Sequence, residues 1–297
     1  MRTSDWFWII TVGAIWGCSF FFNAILICEL SALWVAAGRV SIAAAACWVF
    51  FVVLGKTIPR NPTLIVQLGL LGIFSYALPF TLFPLGQAHI PSGVTAIINA
   101  MTPITTVIVS NFWPGGERAS ANKAIGVLSG FSGAALLALP ALSAGGSSQL
   151  WAIGVCFLAT LVYAVALNVN RRFAGVDPST IAAISLTGAA LGSVPLAFTV
   201  EGVPLITRAE TWAAWLALGL LSTAFTFQVM YRILPRVGAT NFAANTFISP
   251  VFAILLGVLV LGEVLLPTHF LGMAAIFLGL LLIDGRIVSR RGGVVVR

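Results

Sequence analysis

The chain has 297 residues, of which 60% are hydrophobic and only 8% are charged, and it carries a formal net charge of +7. A soluble domain of this length cannot hide so much apolar surface, because its exterior must be wetted by water. The composition therefore excludes a soluble globular protein, and the mean hydropathy of +1.07 indicates a chain whose exterior faces lipid.

Ten apolar stretches follow one another along the chain, each close to the roughly 20 residues that a helix needs to cross a bilayer. They leave no room for a separate soluble domain, and the alternation typical of a lipid-facing barrel strand is absent. The predicted fold class is an all-α polytopic membrane protein with ten transmembrane helices. We place the spans at 6–27, 33–54, 64–86, 91–113, 121–141, 150–170, 178–200, 212–234, 239–261 and 268–285.

The basic residues follow the connections between spans in an alternating pattern. If the N-terminus is cytoplasmic, thirteen of the fifteen Lys and Arg residues fall on the inner side, only Arg208 falls outside, and Arg39 lies within a span. This distribution is a strong positive-inside signal. It predicts an inner (plasma) membrane protein of bacterial type with both termini in the cytoplasm, and it explains the positive charge without a nucleic-acid partner.

The second half of the sequence repeats features of the first at a shift of 146 to 147 residues. The segment Ile90–Pro103 aligns with Val237–Pro250, and each is followed by an acid, Glu117 or Glu263, and then by a glycine that opens the next span. Five spans per repeat is an odd number, so the second copy must enter from the opposite side, as in many secondary transporters. We predict repeats at 1–145 and 146–297, in one membrane domain.

These features resemble a known family. The segment Ala14–Phe20 in the first span, Arg39 in the second and the mid-span prolines followed by acids are similar to the drug/metabolite transporter superfamily. The similarity is to its ten-span EamA-type branch and, within that branch, to bacterial aromatic amino-acid exporters of the YddG type. The resemblance implies a basket-like bundle in which spans one to four and six to nine surround a central cavity. Spans five and ten would support its base or form a homodimer contact.

The resemblance also implies export of amino acids and related metabolites, with Trp16, Tyr163 and the segment Asn99–Thr102 facing the cavity. The residues themselves favour the same region. Aromatic and small polar side chains recur at helical spacing on the first span, and prolines interrupt the third, fourth and ninth spans, which in transporters often marks the binding site. The candidate substrate-binding residues are Trp16, Ser19, Phe20, Asn23, Ser75, Tyr76, Asn99, Thr102, Pro103, Tyr163, Asn245, Thr246, Ser249 and Pro250.

Arg39 is a charge inside a predicted span, which is a functional hypothesis by default. It also lies close enough to the span end for its side chain to reach the surface. A structural or gating role and a contact with the solute both remain open.

The eight acidic residues all lie in connections or near span ends, so no carboxylate is available at mid-membrane to carry a coupled proton. We predict an uncoupled facilitator that exports aromatic or other neutral amino acids and their analogues by alternating access. A proton-coupled drug or metabolite exporter and a solute channel are the alternatives. No nucleotide-binding loop and no clustered catalytic or metal-ligating residues are visible, so we expect no enzyme activity, no metal and no cofactor.

Overall fold

The computed structural model describes residues 3–116, 118–143, 146–242 and 244–284. Regular structure in this part of the chain is helical, with two π-helical segments, Ile73–Ala77 and Leu220–Phe225, and a 3₁₀ turn at Arg171–Phe173. The α-helices are α1 (Thr3–Leu26), α2 (Ala32–Val53), α3 (Pro62–Gly72), α4 (Leu78–Gln87), α5 (Ser92–Asn99), α6 (Thr102–Phe112), α7 (Ala121–Ser143), α8 (Ser147–Asn170), α9 (Pro178–Glu201), α10 (Ala209–Gly219), α11 (Thr226–Phe242), α12 (Asn245–Leu259) and α13 (Pro267–Asp284).

Within the described residues, eight helical stretches are long and apolar enough to cross a membrane, and two shorter apolar helices, α12 and α13, follow them. This confirms the predicted all-α polytopic fold. The predicted boundary between the eighth and ninth spans, at 235–238, is wrong, because α11 continues to Phe242. Position 235 lies inside α11, and a proline within a helix removes one hydrogen bond and crowds the preceding turn, which kinks some helices and ends others.

The local structure repeats at the same sequence shift. Ser31 and Asp177 each cap a helix by accepting a hydrogen bond from the backbone N–H three residues later, as N-cap side chains do. Positive-φ glycines also recur as pairs 147 residues apart: Gly55 with Gly202, and Gly115 with Gly262. The π-helical segments interrupt the third and eighth spans at matching places.

The helix contacts are reciprocal between the first and second halves of the chain. In the interface between α7 and α13, Gly126 packs on the carbonyl of Gly279, and Gly272 packs on the carbonyl of Gly133. Likewise, the contact between α1 and α12 corresponds to the contact between α8 and α6. The contact between α2 and α10 corresponds to the contact between α9 and α3. The glycines let the backbones approach closely. Residues 126 and 272, which correspond at a shift of 146, therefore both lie in the interface between α7 and α13.

We call the end of the bundle that holds the N-terminus of α1 the near end, and the opposite end the far end. At the near end Arg236 binds Asp5 at 2.9 Å, and Lys56 binds Asp177 at 2.6 Å. Burial raises the pKa of Asp177, but hydrogen bonds from Lys56 and from the Thr180 N–H outweigh it and hold the pKa below its usual value.

The far end is joined by carboxylates that accept hydrogen bonds between spans. Glu29, just after α1, accepts from the hydroxyls of Thr207 and Thr211, which lower its pKa. Glu201 of α9 accepts from the hydroxyl of Ser31 before α2. Each of these contacts joins the first half of the chain to the second.

Candidate functional site

Aromatic rings from several spans meet in the interior of the bundle. Tyr76, in the π-helical segment of the third span, lies 5.9 Å from Phe80 and 5.4 Å from Phe227 between ring centroids. Phe80 lies on α4 and Phe227 on α11. Such tilted ring pairs add to the stability gained by burying the rings, and they bring the third and eighth spans together.

A second group of rings joins the first, third and sixth spans. Phe83 of α4 lies 6.0 Å from Phe20 and 5.9 Å from Tyr163. Phe80 and Phe83 are three residues apart and share a helix face, so the two groups are continuous along α4. We call these six residues the ring cluster: Phe20, Tyr76, Phe80, Phe83, Tyr163 and Phe227.

Trp16 of α1 lies beside the eighth span. Its Nε1–H donates to the hydroxyl oxygen of Thr226 at 3.0 Å, and its ring meets Phe242 edge-on at 6.0 Å. Thr226 follows the π-helical segment Leu220–Phe225, and its own hydroxyl lies 2.9 Å from the carbonyl oxygen of Ser222. π-helical segments shift the backbone register by one residue and are frequent at functional sites.

Arg39 of α2 is buried in the bundle, with 8% of its surface exposed, so its side chain does not extend to the membrane surface. Its guanidinium stacks on the Phe80 ring at 3.6 Å from the centroid, and its Nε–H donates to the Thr223 hydroxyl at 3.0 Å. Arg39 therefore connects α2 to the ring cluster and to the π-helical segment of the eighth span.

Several buried polar atoms of the predicted site have no hydrogen-bond partner within the part of the chain that the structure describes. These are Ser19 Oγ and Asn23 Oδ1 on α1 and Ser249 Oγ on α12. The helices α1 and α12 are in contact, and Gly17 packs on the backbone carbonyl of Ser249. Buried polar atoms are normally satisfied, so three unpartnered atoms on two contacting helices are an unusual feature of this part of the bundle.

The fourth span is broken where the sequence predicts, at Ala100–Met101 between α5 and α6. Pro103 has no N–H for the carbonyl of Asn99, and the Thr102 hydroxyl takes its place at 2.7 Å. The prediction that Pro250 interrupts the ninth span is wrong, because α12 continues through it. The break falls instead before Asn245, whose side-chain amide donates to the Phe242 carbonyl. The two breaks thus lie on opposite sides of the paired asparagines.

The other predicted residues are placed as follows. Ser75 is half-buried in the π-helical segment next to Tyr76, Thr246 is half-buried on α12, and Pro250 is buried inside α12. Glu263 caps α5 by accepting a hydrogen bond from the backbone N–H of Ser92. Glu117 lies outside the described residues.

Sequence reasoning missed Phe80, Phe83 and Phe227 of the ring cluster, and the two threonines of the eighth span, Thr223 and Thr226. The spacing of Tyr76, Phe80 and Phe83 at i, i+4 and i+7 is a helical stripe that could have revealed the first two. The positions of the two threonines depend on the π-helical segment, and no local sequence pattern predicts that segment.

Comparisons with known proteins agree with this architecture. The profile of the EamA-like transporter family matches residues 4–139 and again 150–284. The chain is 27% identical over 256 residues to the "Probable terminal-alkyne amino-acid exporter" of Streptantibioticus cattleyicolor, covering 85% of this chain and 84% of that protein. It is 24% identical over 281 residues to an uncharacterized transporter of Archaeoglobus fulgidus, covering 93% and 98%.

A crystal structure that is 20% identical in sequence shares the fold, with a TM-score of 0.68 over 98% of this chain and 99% of the other. The two family matches together cover most of the chain, and they coincide with the two sets of helices related by the reciprocal contacts. The chain belongs to the EamA-like transporter family and is a multi-pass membrane transporter.

Proposed function

We propose that the protein exports amino acids, aromatic or other neutral ones, and their analogues from the cytoplasm by alternating access. The name of the Streptantibioticus relative, an amino-acid exporter, supports this substrate class. The observation that carries the proposal is the ring cluster beside unpartnered polar atoms on α1 and α12. Apolar walls with a few convergent polar groups are the usual construction of a small-molecule site.

The charges of the site favour a zwitterion over a phosphorylated solute. Arg39 is the one buried Lys or Arg within the described residues, whereas sites for phosphate groups usually gather several cations and backbone donors. Aromatic faces attract a substrate ammonium group through the negative face of the ring. A solute with one carboxylate, one ammonium and an apolar side chain suits this combination.

We propose that the protein is an uncoupled facilitator. The acid side chains that the structure describes are all bonded at the two ends of the bundle, away from the ring cluster, where they have structural partners. A carboxylate that carries a coupled proton would have to change its environment as access alternates. These end-bound acids are Asp5, Glu29, Asp177, Glu201, Glu210 and Glu263.

The near end is proposed to face the cytoplasm of a bacterial inner membrane. The described connections at this end carry Lys56, Arg60, Arg118, Arg171 and Arg172, whereas Arg208 is the one basic residue at the far end within the described residues. The positive-inside rule favours this orientation. This orientation can be tested by placing a single cysteine in the 56–60 or the 203–207 connection and labelling intact cells. Only thiols that face outward react with an impermeant reagent.

The proposed function is tested by uptake of labelled phenylalanine, tryptophan, leucine and alanine into proteoliposomes, with and without ionophores. We expect saturable uptake that ionophores do not alter. Trp16→Ala should reduce it about tenfold or more, while Trp6→Ala, which removes a lipid-exposed ring from the same helix, should not. Absence of uptake for the whole panel would refute the amino-acid assignment. Uptake abolished by collapse of a proton gradient would show coupling, and uptake linear in concentration would indicate a channel.

A further inference from the structure

Arg39 is a buried cation without an acidic partner in the described part of the chain. No described carboxylate lies within 4.0 Å of the Arg39 guanidinium. The ion pairs within the described residues are instead formed by Lys56, Arg208 and Arg236. A charge buried in a membrane domain is strongly unfavourable unless it is paired. Such a group either stabilises a neighbouring element by itself or awaits a ligand of opposite charge.

The contacts that Arg39 does make leave part of its guanidinium unused. Phe80 covers one face, and Thr223 accepts from Nε. The described residues provide no hydrogen bond to the two terminal nitrogens of the guanidinium. A guanidinium held by its face and by Nε still presents its terminal N–H groups, and their geometry matches a carboxylate.

The second repeat shows that the fold itself does not need a charge at this place. The shift of 146 that relates the caps Ser31 and Asp177 pairs Arg39 with Ser185, which is fully buried on α9. The structure therefore accommodates an uncharged side chain at the equivalent position of the other half. A structural requirement of the architecture would act on both halves, so the single cation points to a role that only one side of the site performs.

We propose that Arg39 binds the carboxylate of the transported solute, an inference that rests on the proposed amino-acid transport. Phe80 and Thr223 hold the guanidinium in place as positioning residues. The side chain of a solute anchored at Arg39 would then lie on the rings of Tyr76 and Phe227, which continue from Phe80. The substrates are thus aryl or alkyl amino acids with a free carboxylate, and their amides, esters and decarboxylated amines are excluded.

The first experiment uses the wild-type protein in proteoliposomes and compares phenylalanine, phenylalaninamide, phenethylamine and 3-phenylpropionate as competitors of labelled phenylalanine uptake. We expect the two carboxylates to compete at least about tenfold better than the amide and the amine, which corresponds to one charge-assisted interaction. Equal competition by phenylalanine and its amide would overturn the proposal, whatever any variant does.

The second experiment measures the same competition in Arg39→Lys and Arg39→Gln, after size-exclusion elution and thermal stability confirm folding. Arg39→Gln should lose the preference for carboxylates, whereas Arg39→Lys should retain part of it. Arg208→Gln, which removes an exposed arginine, is the control and should keep the full preference. A loss of affinity in Arg39→Gln that is equal for carboxylates and amides would show a purely structural role and overturn the proposal.

A third measurement separates this inference from the proposed function. Binding of 3-phenylpropionate, followed as a ligand-induced thermal shift, needs no transport. If the wild type transports no amino acid but shows a shift that Arg39→Gln abolishes, the carboxylate site stands and the amino-acid assignment fails. If no carboxylate of the panel produces a shift or competes, the proposal for Arg39 is overturned.

Discussion

Glu263 caps a helix of the other half of the chain, and its removal should weaken the whole fold. Its Oε1 lies 2.7 Å from the backbone nitrogen of Ser92, and its Oε2 lies 2.9 Å from the Ser92 hydroxyl and 3.4 Å from the backbone nitrogen of Gly93. The N-cap of α5 is Pro91, whose side chain offers no acceptor. The carboxylate therefore supplies from a distant segment the cap that the local sequence lacks.

The magnitude follows from the groups left without acceptors in Glu263→Ala. Loss of an N-cap acceptor costs about 1 kcal/mol, and a buried donor left without a partner costs about 1–3 kcal/mol; Ser92 is fully buried. We expect the free energy of unfolding to fall by about 2–4 kcal/mol. Glu263→Gln keeps one acceptor and should lose about half of that amount.

The measurement is denaturant unfolding in detergent micelles followed by far-UV circular dichroism. Glu210→Ala is the matched control, because this carboxylate is exposed and its ion-pair partner is the exposed Arg208 side chain, so it should cost about 1 kcal/mol or less. If Glu263→Ala unfolded within about 0.5 kcal/mol of the wild type, the carboxylate would not be the cap of α5, and the argument from its geometry would fail.

Three further predictions concern packing, the site and pH. Gly72→Val places a side chain against a backbone carbonyl of α9 and should abolish transport and lower the melting temperature, while Gly154→Ala, which faces open space on α8, should be neutral or slightly stabilising in the same assays. Trp16→Phe keeps a ring but loses the hydrogen bond to a threonine of α11, and uptake affinity should fall several-fold, less than in Trp16→Ala; equal losses in the two would contradict a role for the hydrogen bond. Asp177→Asn keeps an N-cap acceptor and removes the charge. Because the pKa of Asp177 is lowered in the folded state, the charge stabilises the folded protein at pH values above the ordinary aspartate pKa of about 3.9. The difference in melting temperature between the two proteins, expected to reflect about 1 kcal/mol or less at neutral pH, should vanish as the pH falls through the lowered pKa, and a difference that persisted there would refute this assignment.

The sequence by itself determined the class of protein, an all-α polytopic membrane protein, and it predicted ten spans in two paired halves. These are properties of hydropathy, which a bilayer imposes on each span separately, and of local signals that recur along the chain, such as the segments Ile90–Pro103 and Val237–Pro250. It also pointed to the first span, to Tyr76 and Tyr163, and to the proline break in the fourth span. Whether those residues bind the solute is a prediction that transport measurements will test.

Only the tertiary structure decided which side chains meet. Thr223 lies 184 positions from Arg39, and Glu263 lies 171 positions from Ser92, so no local pattern could reveal either contact. The π-helical segments and the position of the break before Asn245 also depend on packing against neighbouring spans, because several backbone geometries satisfy the same apolar sequence within a membrane. The burial of Arg39 beneath Phe80 is the clearest case, since a cation six residues from a span end can reach either the surface or the interior, and the neighbouring helices determine which.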